Sequence, residues 1–206
     1  MFMLGVFWGA DSAPSALVLL AQTLKNLRRH YRVETVVETL PGLQIDALAT
    51  RVGEVFEDRR YACYKRVFSQ DRRPAKRIKV KPRIVLSPAV DSAEAADYLR
   101  SRQLPVACVI CRDQMEWQRI DHHRICLEHN YLVSPRALAD CLAAVEAENR
   151  LCFMAGAFET AAQIAALRTA VPYSAGWPPG GIALALAAAV WFRETVKSLK
   201  RYGQAG

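Results

Sequence analysis

Residues 1–40, MFMLGVFWGADSAPSALVLLAQTLKNLRRHYRVETVVETL, hold three apolar runs separated by turn residues, and their reading decides the fold. Phe2 to Trp8 is a short, nearly unbroken apolar run ended by Gly9, the pattern of a buried strand. Asp11-Ser12-Ala13-Pro14 is a turn sequence, and Ser15 to Gln22 (SALVLLAQ) reads as a second strand. A basic connection, Lys25 to His30, leads into Tyr31 to Leu40 (YRVETVVETL), which alternates as a strand with one wet face does. Three strands so close in sequence imply an antiparallel meander, closed by Pro41-Gly42.

Outward from the meander, Leu43, Ile45, Leu48, Val52, Val55 and Phe56 recur at helical spacing. A basic stretch follows, with Lys65, Arg66, Arg72, Arg73, Lys76, Arg77, Lys79, Lys81 and Arg83 interrupted by Asp71 alone. Ile84-Val85-Leu86 reads as a strand, Asp91 begins a helix ending near Arg102, and Val106 to Cys111 is another buried strand. Arg112 to Asn130 is polar and irregular, in keeping with a hairpin. Ser134-Pro135 supplies an N-cap and a first-turn proline for a helix through Glu148. Leu151 to Met154 reads as a short extended piece and Glu159 to Arg168 as a helix. Pro178-Pro179-Gly180-Gly181 precedes a last helix, Ile182 to Lys200, with Trp191 and Phe192 as core residues and Lys197, Lys200 and Arg201 as cations at its C-terminus. This order implies one α/β domain over residues 1–206, a mixed sheet covered by helices with a basic insertion at about 60–83.

A hydrophobic content of 52% over 206 residues supports a full core and excludes a disordered chain or a disulfide scaffold. The formal charge of +8 favours an anionic partner such as DNA. MFMLGVFW has no basic n-region, and the apolar stretch Ile182 to Phe192 is too short to span a bilayer. The expectation is a soluble, cytoplasmic protein without membrane contact, its six cysteines (63, 108, 111, 126, 141 and 152) reduced.

Four segments in order carry a resemblance. They are Gly5-Val6-Phe7-Trp8-Gly9 with Pro14 to Leu20, Ile84-Val85-Leu86-Ser87 with Tyr98-Leu99-Arg100, Tyr131 to Pro135 with Leu138 and Arg150 to Phe153, and Pro179 to Leu186 running on to Trp191. Together the chain resembles the RNase H-like nuclease domain of phage terminase large subunits. The resemblance implies an RNase H-like sheet and a site where two divalent cations, Mg²⁺ or Mn²⁺, assist phosphodiester cleavage. Such cations need converging carboxylates. At the family's acidic positions this chain carries Phe7, Ser87, Gly180 and Gly181, none of which offers one. The expectation is therefore a catalytically inactive domain with no cofactor, retained for DNA binding or for assembly with phage or host proteins. No Gly-rich Lys-Ser/Thr phosphate loop is present either, so motor activity is not expected of this chain.

Two other readings compete. Asp11, Asp91 and Glu94 lie close in sequence to the lost positions and would rebuild an active metal-dependent nuclease if they converged. First-turn acids at 91 and 94 are also what a helix N-terminus favours without any chemistry. Cys108, Cys111, His123 and Cys126 make a candidate zinc set for an interaction module. Against it, cysteines three apart on a strand point to opposite faces. For nucleic acid the candidates are Lys65, Arg66, Arg72, Arg73, Lys76, Arg77 and Lys79, with an ordinary solvated hairpin as the plain alternative.

Overall fold

Phe2–Phe7 forms β1, the strand at which the sheet changes from antiparallel to parallel pairing. On one side β1 pairs antiparallel with β2 (Ala16–Lys25), and β2 with β3 (Arg28–Glu38), giving the expected meander. The computed structural model describes residues 1–10, 13–68, 74–89, 92–111, 130–154 and 181–202; the hairpin expected over 112–130 and the helix over 159–168 fall outside them, except for Asn130. On its other side β1 pairs parallel with β6 (Arg83–Leu86), which leads to β7 (Val106–Cys111) and β8 (Asn130–Leu132). A short strand, β9 (Leu151–Phe153), runs parallel to β3 at the far edge. The order is β8-β7-β6-β1-β2-β3-β9, an RNase H-like mixed sheet. The strands β4 (Cys63–Phe68) and β5 (Pro74–Val80) form a separate two-stranded ribbon.

Side chains alternate across the pleat, so the sheet feeds two cores. Leu4, Val6, Leu17, Leu19, Ile84, Leu86 and Val109 face α1 (Ile45–Glu57) and α2 (Ser92–Ser101). Met3, Phe7, Val18, Leu20, Val85 and Ile110 face α3 (Pro135–Ala147) and α4 (Gly181–Tyr202). Helix α3 begins as the sequence requires: the Ser134 side chain accepts a hydrogen bond from the Ala137 amide at 3.2 Å, and Pro135 opens the first turn.

Two boundaries differ from expectation. The basic connection at 25–30 is almost entirely strand, because a two-residue turn at Asn26 and Leu27 joins β2 to β3. Both turn residues have positive φ, 50° and 61°, the geometry that matches the twist of a hairpin. The last helix is also longer at its end than read, reaching Tyr202.

Helix α4 owes its composition to where it lies. Residues 181–190 are buried without exception, so the segment is apolar all round. A Cβ placed on Gly5 would sit less than 3.0 Å from the carbonyl of Ala185, and its next neighbour would be the Ala189 methyl. The backbone of α4 thus rests directly on β1, an approach open only to glycine on the strand and to small residues on the helix.

Candidate functional site

The parallel register sets Leu86 beside Val6, which carries Ser87 to the level of Phe7 at the same end of the sheet. Ser87 is buried there and is committed to the strand: its amide and its hydroxyl both donate to the Val6 carbonyl, at 2.8 and 3.1 Å. The first residue of α4 meets the same point, since a Cβ on Gly181 would fall within 3.0 Å of three atoms of the Phe7 ring. Three of the four positions singled out in the sequence therefore converge, and what they build is apolar. A phenyl ring fills the space, glycine makes room for it, and the one hydroxyl is held by a backbone carbonyl. These residues do not fit a hard divalent cation, which needs several anionic oxygens around one point.

The fourth position, Gly180, and the acids Asp11 and Asp91 lie outside the described residues. Glu94 is exposed on α2, a helix packed on the opposite face of the sheet from Phe7. It does not join the other positions. Among the described residues no group of three or more His, Cys, Asp or Glu side chains could hold a metal ion.

For the proposed zinc set, Cys108 and Cys111 are both fully buried but in different cores, Cys108 toward α3 and α4 and Cys111 toward α1 and α2. The strand separates the two thiols, so they cannot share an ion while β7 is intact. Burial pushes the Cys108 thiol well above its ordinary range, the behaviour of a small hydrophobe and the opposite of what a thiolate ligand needs. His123 and Cys126 lie outside the described residues.

The basic stretch forms the β4–β5 ribbon, with Lys65, Arg66, Lys76, Arg77 and Lys79 on its strands and Arg72 and Arg73 outside the described residues. The ladder sets Arg66 opposite Arg77, Lys79 opposite Tyr64 and Lys76 opposite Val67. Both roots of the ribbon are tied to the end of α1. At the β4 root a 3₁₀ turn (Arg59–Tyr61) is capped by Asp58, which accepts from the Arg60 amide at 2.9 Å and from its guanidinium. That guanidinium holds the Asp58 carboxyl below the usual carboxylate range. Tyr61 then bonds Thr35 at 3.0 Å and packs edge-on against Phe2. At the β5 root Lys81 pairs with Glu57 and lies over the Phe56 ring, 4.6 Å from its centroid. Between this root, the start of β6 and the end of α2 lies a cleft of about 660 Å³, lined by Lys79, Lys81, Arg83 and Arg100 over an apolar floor that includes Phe56 and Pro105.

Sequence reading missed a polar cluster that locks α4 and β9 to the meander. Glu194 of α4 accepts from the Tyr31 hydroxyl at 2.6 Å and from Arg150 at 3.0 Å. Arg150 also donates to the Arg29 carbonyl at 3.0 Å and to Glu148 at 2.7 Å, and Arg193 donates to Gln22 at 2.6 Å. One signal was available: Arg193-Glu194 interrupts an apolar helix immediately after Phe192, and a charged pair there needs partners.

Among the described residues no helix is long and apolar enough to cross a membrane. Comparison of the chain with protein-family models, curated proteins and solved structures finds no match. What the fold and the site define is a class: an α/β domain of RNase H-like arrangement. The end of its sheet where Phe7, Ser87 and Gly181 meet is closed by apolar packing.

Proposed function

We propose that this chain is a pseudonuclease, an RNase H-like scaffold akin to terminase nuclease domains that binds DNA or joins phage or host assemblies without cutting. The observation that supports the reading is the seat of the Phe7 ring against Gly181. Two-metal cleavage requires carboxylates that bridge and orient the ions. A ring and a glycine at that point supply no ligand and take up the volume where the ions would stand. The buried Ser87 hydroxyl, turned to the Val6 carbonyl, supplies none either.

A plasmid-cleavage assay with Mg²⁺ and with Mn²⁺ tests the catalytic half, and no nicking above a metal-free control is expected. Robust cutting that disappears on Asp11→Ala or Asp91→Ala would overturn it in favour of relocated ligands. The DNA half predicts affinity that falls steeply with salt, because bound cations release counterions. A flat salt response leaves assembly with proteins as the role.

A further inference from the structure

We infer that a phosphodiester backbone docks in the basic cleft at the root of the β4–β5 ribbon, at the end of the sheet remote from Phe7 and Gly181. This rests on the DNA-binding half of the reading above and assigns it a place. Arg83 is the first residue of β6 and Val106 the first of β7, and both line the cleft. Ser87 follows the other end of β6. Four residues of strand separate the two levels, about 13 Å at the usual rise. The surface that would take the nucleic acid is therefore not the one where an RNase H-like enzyme performs cleavage.

Charge carries the argument. Lys79, Lys81, Arg83 and Arg100 line one concavity, with no acidic side chain among its described lining residues, and Lys81 alone of the first three is paired, with Glu57. Lys79 and Arg83 make no ion pair with an acidic residue among the described residues. On the other face of the sheet Arg193 is held below its ordinary range, first by burial and then by Arg29 and Arg83, with Tyr31 and Glu194 acting in the opposite direction. The sequence leading into the cleft carries the same sign, with six further Lys or Arg against one Asp between residues 65 and 78. The ribbon's register sets two arginine positions, 66 and 77, opposite each other on the two strands. A small anion would neutralise only part of this track. A polymer matches it, because a ribbon of six or seven residues spans about 20 Å, and B-form DNA presents about one charge per 1.7 Å of axis. The hairpin itself is of a shape that a duplex major groove admits.

The test uses the full chain in fluorescence anisotropy with a labelled 20-base-pair duplex and, separately, a 20-nucleotide single strand. Binding of at least one is expected, and the stronger arm identifies the form. Lys79→Ala with Arg83→Ala should weaken that binding about tenfold at low salt and lower the log–log salt slope by about two. The control pair Arg51→Ala with Arg136→Ala removes the same charge from the exposed surfaces of α1 and α3 and should change affinity less than twofold. Hydrogen exchange on the unaltered protein is the second measurement, with added protection expected at residues 79–83 and 100–107. Equal losses in the two double variants, or protection confined to other segments, would overturn the assignment while leaving a DNA-binding pseudonuclease standing. No binding of either nucleic acid would overturn it and leave only the assembly role. The cleavage assay is independent of all these outcomes.

Discussion

The Phe7 ring and the Gly181 backbone are mutually fitted: the side chain at the end of β1 occupies the space that any side chain on the first residue of α4 would need. Gly181→Ala should therefore destabilise the protein by about 2 kcal/mol, the usual scale of overpacking, although alanine is the better helix former by about 1 kcal/mol. In a Phe7→Leu background the penalty should shrink by at least about 1 kcal/mol, since contacting residues do not behave additively. Urea denaturation of the four proteins in this cycle measures the coupling. A coupling near zero would mean that the two residues do not share this space.

Two other glycines separate close approach from mere flexibility. Gly5→Ala drives a methyl into the Ala185 carbonyl, a backbone atom that cannot rotate away, and should cost about 3 kcal/mol or prevent folding. Gly53, within α1, has no neighbouring atom within 4 Å of a built Cβ. Gly53→Ala should raise stability by about 0.5–1 kcal/mol through helix propensity and the less flexible unfolded chain. Thermal melts decide both, and opposite signs are expected.

Stability should decline at alkaline pH in a defined order. Burial raises the Cys108 thiol far above its ordinary 9.0, and it pushes Cys141 up to about 11, with the Glu194 charge adding to the effect. Burial and then the hydrogen bond to Glu194 raise the Tyr31 phenol above its ordinary 10.0. In each case the folded protein keeps a proton that the unfolded chain releases, so stability falls as pH rises. The contribution is complete below about pH 9, declines first through the thiols and then, above pH 10, through Tyr31. Each group adds at most about 1.4 kcal/mol per pH unit, and that of Cys141 ends near pH 11. Urea midpoints between pH 8 and 11 should show this fall. Cys108→Ala should flatten its first part and Tyr31→Phe its last. A stability unchanged up to pH 10.5 would contradict the burial of these groups.

Much of the fold was legible because local rules and packing agree along the first 40 residues. An apolar run ended by Gly9 becomes β1, and alternation from Tyr31 becomes the outer part of β3. Ser134-Pro135 caps α3 because a side-chain oxygen and a fixed φ act within one turn. The β2–β3 turn was hidden, since Leu27 adopts a left-handed conformation that no composition rule favours for leucine. Gly5 offered a clue of the other kind. An isolated glycine within an apolar strand marks a place where another backbone comes close, but nothing local says which one.

The sequence by itself determined that positions 7, 87, 180 and 181 carry no carboxylate, because residue identity alone decides whether an oxygen ligand exists. It also determined the run of positive charge from Lys65 to Arg83. Only the tertiary structure decided that Phe7, Ser87 and Gly181 meet, that Cys108 and Cys111 are divided between two cores, and that the basic run ends in a cleft at the far end of the sheet. These depend on parallel pairing of β1 with β6 and on α4 lying across both. Such contacts join residues separated by about 80 to 180 positions, and strand register and helix packing fix them.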